Sequence, residues 1–192
     1  MNKLFIILGK SGSGKSTIEK EICRLEMANR VISTTTRSPR SYEIDSVDYY
    51  FISEEVFNIY LRQEQYAEHS EYPTVWGMAK YGINKNDIKL NEGNAICVVN
   101  PNGYRQLVKS LGKERVVGIY IDRDDRDRVI SSLLRDKNNN LVSILEEILR
   151  RFKNDEKDFE NIKEEADYVI NNDRNLSSVV WDIVDIIKKE TK

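Results

Sequence analysis

The chain has 192 residues, 40 % of them hydrophobic and 32 % charged, with a formal net charge of −2. That composition supports one compact domain with its own core and excludes a disordered chain. Near-neutral charge excludes a whole-molecule field for nucleic acid or anionic lipid, so any anion site has to be local.

Leu4 to Leu8 is a continuous apolar run, the texture of a strand covered on both faces. It runs into a glycine-rich stretch, Gly9 to Gly14, and a helix is expected from about Lys15, with Ile18, Ile22 and Leu25 on one face. Val31 and Ile32 form a second apolar piece. Ser33 to Tyr49 is rich in Thr, Ser and Arg and reads as lying outside the core. Tyr49 to Ile52 fits a strand, and Ser53 before Glu54, Glu55 and Val56 fits a helix start. Tyr72 to Gly82, with Pro73 and two glycines, reads as irregular. Buried-strand texture returns at Ala95–Val99, Val116–Ile121 and Tyr168–Ile170. Pro101 and Gly103 open a short helix. Asp122 to Glu165 reads as charged helix interrupted by an exposed turn at 137–140. A last helix carries Leu176, Val179, Val180, Ile183, Ile186 and Ile187.

Strands alternating with helices predict an α/β fold with a parallel sheet flanked by helices. Two polar interruptions, 33–84 and 122–165, predict lobes over the carboxyl ends of the strands, where open α/β sheets bind ligands. The core is then 1–32, 85–121 and 166–192. No apolar run reaches membrane-spanning length. Cys23 and Cys97 read as reduced thiols, and with one histidine they leave little for a zinc site. A cytoplasmic protein without membrane or nucleic-acid partners is expected, as a monomer or homodimer.

Gly9-Lys10-Ser11-Gly12-Ser13-Gly14-Lys15-Ser16 fits G-x-x-x-x-G-K-[ST] at every defined position, after an apolar strand and at the start of an amphipathic helix. Glycines let the backbone close around phosphates, and successive N–H groups and the helix dipole supply donors and positive potential. Lys15 adds a full charge at the β- and γ-phosphates, and the Ser16 hydroxyl is a Mg²⁺ ligand in such loops. Thr17 follows in the first helical turn. A bound nucleoside triphosphate follows from this pattern; what receives its γ-phosphate does not.

Ser33-Thr34-Thr35-Thr36-Arg37-Ser38-Pro39-Arg40 gathers four hydroxyls and two guanidinium groups, a second anion site in which arginine forks match phosphate oxygens. The competing reading is a solvated loop whose arginines pair with Glu43 or Asp45. One of Tyr49 and Tyr50 is expected to join the site and the other to face the core.

The run STTTRSPRSYEIDSVDYYF, Ser33 to Phe51, resembles the monophosphate-binding segment of guanylate kinases, S-x-T-T-R-x-P-R-x-G-E-x-x-G-x-D-Y-x-F. With the phosphate loop, the resemblance covers most of the chain in order. It implies a kinase core with an inserted monophosphate-binding lobe and a helical lid. It implies ATP-dependent phosphorylation of GMP or dGMP, with Mg²⁺. Arg37, Arg40, Tyr49 and Tyr81 would hold the acceptor phosphate, and Ser33, Glu68 and Asn100 would face the base. Arg135 and Arg151 would be lid arginines acting on the transferred group beside Lys15, and Asn172 would lie near the adenine. The chain departs from the pattern at Ile83, where the family has Thr or Ser after Tyr-Gly. It departs again at Asn100 and Val98, where the family has acids, and at Tyr42 and Ser46, where it has glycines. The segment between Glu68 and Tyr81 is also longer by about four residues. Those departures keep open a related kinase with another acceptor, such as a modified or deoxynucleotide or a ribose bisphosphate. A non-catalytic binding module is disfavoured by the intact Lys15 and Ser16.

Overall fold

The computed structural model describes residues 1–40, 42–74, 77–135 and 140–192. Strand β1 (Leu4–Leu8) is fully buried along its length. Alternate side chains serve opposite faces of the sheet. Phe5 and Ile7 join Ile18 and Ile22 of α1 (Lys15–Arg24) and Val179, Ile183 and Ile187 of α7 (Leu176–Glu190). Leu4, Ile6 and Leu8 join Tyr104 and Leu107 of α3 (Pro101–Leu111), together with Ile162 of the short α6 (Ile162–Glu165). The sheet is parallel, with β1 between β7 (Ala95–Val98) and β8 (Val116–Asp122); β2 (Asn29–Arg30) and β9 (Tyr168–Asn171) form the edges. The parallel sheet flanked by helices is as the alternation predicts. Val31, of the second apolar piece, lies just beyond β2 and is buried there.

Two expectations fail in the segment after Ser33. Thr34 and Thr35 form β3 (Thr34–Thr35) and are buried, at 4 % and 0 % exposure. Their hydroxyls are satisfied at Tyr66, Gly82 O and Lys80 O, so polar residues are buried at little cost. The stretch read as irregular is mostly a long antiparallel hairpin of β5 (Tyr66–Thr74) and β6 (Gly77–Asn84). With β3 and β4 (Tyr50–Phe51) it makes a second sheet in the order β4-β3-β6-β5. Pro73 is tolerated because β5 is an edge strand. The side chain of Gln106 covers part of that edge, pairing with both the N–H and the carbonyl of His69. Ser53 caps α2 (Glu54–Arg62) through a bond from the Val56 N–H, as its sequence suggests.

The charged stretch forms α4 (Asp125–Arg135) and α5 (Leu141–Asp158). Asn140 caps α5. The rest of the turn expected at 137–140 lies outside the described residues, as does the side chain of Arg135. No described helix is long and apolar enough to cross a membrane.

Candidate active site

The phosphate loop leaves the carboxyl end of β1, and Gly12 and Gly14 take φ of 80° and 93°. Both need to be glycine twice over. A Cβ on Gly12 would collide with the backbone of Arg128, and one on Gly14 would sit 2.7 Å from Asn172 Nδ2. Gly14 opens α1 without a side-chain cap, the arrangement in which a helix start binds anions. Lys15 Nζ donates to Gly9 O at 2.6 Å and to Lys10 O at 2.9 Å, so its charge sits across the mouth of the loop.

A cavity of about 340 Å³ lies in front of the loop. Gly9, Ser11, Lys15 and Ser16 form one wall. Ser33, Arg37, Arg40, Tyr49, Glu68 and Tyr81 form the facing wall, with Asn100 from the end of β7 beside them. Arg151 reaches in from α5. Lys10, Gly12, Ser13, Gly14 and Thr17 complete the loop outside this lining. Asn172 is buried against the loop and donates to Ser13 O at 2.7 Å, so it braces the backbone rather than lining the cavity.

Arg37 does pair with Glu43, and it lines the cavity as well. Its guanidinium donates to both Glu43 oxygens at 2.6 Å and to the Tyr81 hydroxyl at 3.1 Å. It also stands 5.1 Å from the centre of the Tyr49 ring. Burial works against the Arg37 charge, and the bonds to Glu43 outweigh it, raising its pKa. Burial would likewise raise the Glu43 carboxyl, but the Arg37 bonds and the Arg40 N–H hold it below the usual range. The pair therefore stays ionised and aligned.

Glu68 is 4 % exposed, not a surface acid. A bulge between Tyr66 and Glu68 breaks the alternation of β5, so that Tyr66, Ala67 and Glu68 are buried in succession. Gly103 lets the first turn of α3 close on the carboxylate: a Cβ there would lie 2.9 Å from Glu68 Oε2. Burial pushes the Glu68 pKa up to about 7, against the opposing bonds from the Ile83 N–H and the Ser70 hydroxyl. Asn100 Oδ1 caps α3 through the Gly103 N–H at 2.6 Å, leaving Nδ2 toward Ser70 at 3.3 Å. Ile83 is fully buried in the core and so is not placed to read a base. Val98, where the pattern has an acid, lines the cavity as an apolar residue.

Sequence reasoning missed several lining residues. Ser70, Tyr72 and Thr74 face the cavity at two-residue spacing from Glu68, and strand periodicity applied from Glu68 onward finds them. Arg150 lines it beside Arg151, and both are tethered by Glu147, at 2.8 and 2.7 Å. Glu147 is 8 % exposed; burial would raise its carboxyl and the two guanidinium groups hold it low. Arg128, 2 % exposed, lies under the loop.

The family model described as guanylate kinase matches residues 1–190. The chain belongs to the guanylate kinase family. It is 32 % identical over 193 residues to the guanylate kinase of Koribacter versatilis, covering 97 % of this chain and 78 % of that one. To the guanylate kinase of Wolbachia pipientis wMel it is 31 % identical, covering 97 % and 90 %. The guanylate kinase of Tropheryma whipplei is 34 % identical over 121 residues, and the chain spans 61 % of that relative's length. The fold matches the crystal structure of guanylate kinase from Anaplasma phagocytophilum with a TM-score of 0.69, at 22 % identity, over 98 % of this chain and 86 % of that one.

Proposed function

We propose that the chain transfers the γ-phosphoryl group of ATP to GMP or dGMP. The observation that carries the reading is one cavity with two differently built ends: Lys15 and Ser16 of the phosphate loop at one, and Arg37, Arg40, Tyr49, Tyr81 and buried Glu68 at the other. Membership of the guanylate kinase family supports it.

In this reading the loop and Lys15 hold the donor's phosphates. Arg37 and Arg40, aligned by Glu43, hold the acceptor's phosphate together with the two phenols. Ionised Glu68 accepts from the adjacent N1–H and 2-amino donors of guanine, with Ser33 and Asn100 beside it. Arg151, with Arg150, faces the charge that develops on the transferred group, and Arg135 of α4 is the second lid arginine in this reading. Asn172 supports the donor site through the loop. Residues 33–84 act as the acceptor lobe and 122–165 as a lid, whose closure excludes water and favours in-line transfer. Phosphoryl transfer works by positioning and electrostatics, so a nucleophilic side chain is not needed.

Mg²⁺ fits the donor end, where the hydroxyl oxygen of Ser16 is a hard ligand and Val98 supplies none. Ser16 would hold the ion, whose charge would partly neutralise the phosphates.

The decisive experiment is an ADP-release assay with ATP against GMP, dGMP, AMP, UMP, dTMP and ribose bisphosphate. GMP and dGMP are expected to give the highest kcat/KM. Release with GMP and dGMP no faster than with ATP alone would reject the assignment.

A further inference from the structure

Arg128 and Asp155 meet under the phosphate loop. Arg128 is 2 % exposed and Asp155 8 %, and neither belongs to the loop pattern or to the acceptor segment. Arg128 Nε donates to the Ser11 carbonyl at 2.9 Å, and its NH2 group donates to Asp155 Oδ2 at 2.9 Å. The same Asp155 oxygen accepts the Ser11 N–H at 2.6 Å. One side chain from α4 and one from α5 thus engage both backbone polar groups of a single loop residue, much as a neighbouring strand would. Asp125 and the face of Phe152, 4.2 Å away, complete the surroundings of the guanidinium.

A buried ion pair is a poor way to add stability, because desolvation offsets much of the attraction and apolar side chains of similar volume do as well or better. What it supplies is register. Two opposed hydrogen bonds to Ser11 are satisfied together only when α5 lies at one height and rotation against the loop. Along α5, Glu147, Arg151 and Asp155 succeed one another at four-residue spacing, and all three line the cavity. Fixing Asp155 on the loop therefore fixes where Arg151 and its neighbour Arg150 stand, one turn further along.

We propose that Arg128 and Asp155 are positioning residues that latch the α4–α5 pair to the phosphate loop and so hold Arg150 and Arg151 at the γ-phosphate. The proposal rests on the reading of the cavity as a site of phosphoryl transfer from ATP. A merely structural role would end with stability; a latch carries an effect on the transition state and on γ-phosphate recognition.

The test compares Arg128→Met, Asp155→Leu and the double variant Arg128→Met/Asp155→Leu with the wild type. Thermal unfolding, kcat and KM for GMP, and the affinities for ATP and ADP are measured. Arg128→Met leaves the Asp155 carboxylate without its cation and Asp155→Leu leaves Arg128 with Asp125 alone, so each single variant loses stability. The double variant removes both charges and melts above either single variant, though below wild type because Ser11 loses two backbone partners, while its kcat stays about tenfold or more below wild type, as for groups displaced by roughly an ångström. Its KM for GMP changes little, and its preference for ATP over ADP shrinks severalfold. A stable double variant with wild-type kcat and wild-type ATP/ADP preference overturns the latch. If the double variant does not fold, Asp155→Ala decides. It removes the acceptor of both the Ser11 N–H and Arg128 without adding bulk, while Arg128 keeps Asp125. Wild-type kcat and ATP/ADP preference in folded Asp155→Ala overturn the latch equally. Absence of GMP turnover in the wild type would sink the acceptor assignment, and the ATP/ADP preference of the variants still judges the latch.

Discussion

Both carboxylate oxygens of Glu43 are held by Arg37, each at 2.6 Å, and a backbone N–H from Arg40 binds the same group at 2.8 Å. One acid therefore aligns both cations of the proposed acceptor site. Glu43→Ala is expected to raise KM for GMP about tenfold, consistent with a charge-assisted bond worth ~1.5 kcal/mol, while the affinity for ATP stays close to wild type. Steady-state kinetics with each substrate varied in turn check this; an equal loss for both substrates would contradict separate anchors.

Lys15 sits where the loop meets the cavity, bonded to the carbonyls of Gly9 and Lys10. Lys15→Met removes the charge and keeps much of the stem. Turnover should fall about a thousandfold, the scale of losing a group aimed at developing charge. The melting temperature should move little, because the side chain is partly exposed. Single-turnover measurements at saturating ATP separate the chemical loss from weaker binding.

Glu68 carries a pH signature. Its pKa is about 7 in the folded protein, above the value of 4.5 for a free carboxyl, because burial disfavours the charge. The folded state thus holds this proton more tightly than the unfolded chain. The resulting stabilisation is fully present below pH 4.5 and is lost as pH rises to about 7. In the proposed reading the carboxylate form of Glu68 binds guanine, so acceptor kcat/KM should rise with pH through about 7. Glu68→Gln is expected to flatten the kcat/KM profile, leaving the titration of the acceptor phosphate itself, and to reduce the stability slope while that of Glu19, which burial also raises to about 7, remains. A wild-type slope that survives in Glu68→Gln would assign it elsewhere.

Asn172 braces the loop from just beyond β9, with Nδ2 on Ser13 O at 2.7 Å. Asn172→Ala strands a buried carbonyl, at a cost of about 1–3 kcal/mol. Denaturant unfolding should show that loss, with a parallel weakening of ATP binding. An unchanged midpoint would mean that water replaces the amide.

The parallel sheet and the loop were legible because each leaves a local signal. Leu4 to Leu8 is apolar throughout, and the glycine spacing is demanded by a backbone that has to wrap an anion. The second sheet left no such signal. On β5 the inward face after Ala67 is Glu68, Ser70, Tyr72 and Thr74, which line a cavity instead of a core, so the strand shows no apolar alternation. A bulge before Glu68 adds a shift of phase that no periodicity contains. Thr34 and Thr35 are buried by virtue of partners from residues 66 to 82, so their burial is a tertiary fact.

The charged helices misled in a different way. Acids beside Arg123, Arg126 and Arg128 suggest surface ion pairs of small value. Arg128 instead is buried under the loop because its partners, Ser11 O and Asp155, lie far away in the chain. The same rule reads Arg150 as exposed, although Glu147 turns it toward the cavity together with Arg151.

The place of β1 in the middle of its sheet governs the order in which the molecule can be completed. Leu4 has its partners at Ala95 on one side and Val116 on the other, and Lys3 is tied to Glu190 by an ion pair of 2.7 Å. Such distant closures come late in folding, after much loop entropy has been overcome. The loop at the end of β1 waits longer still: its supports, Arg128 and Asn172, stand 117 and 159 residues downstream of the peptide groups they hold. The loop's full set of supports is thus expected among the last features to form, and a fragment containing the whole glycine motif but ending before β9 would lack the Asn172 brace on Ser13. Triphosphate added during refolding would bind only finished molecules and pull the chain toward them by mass action.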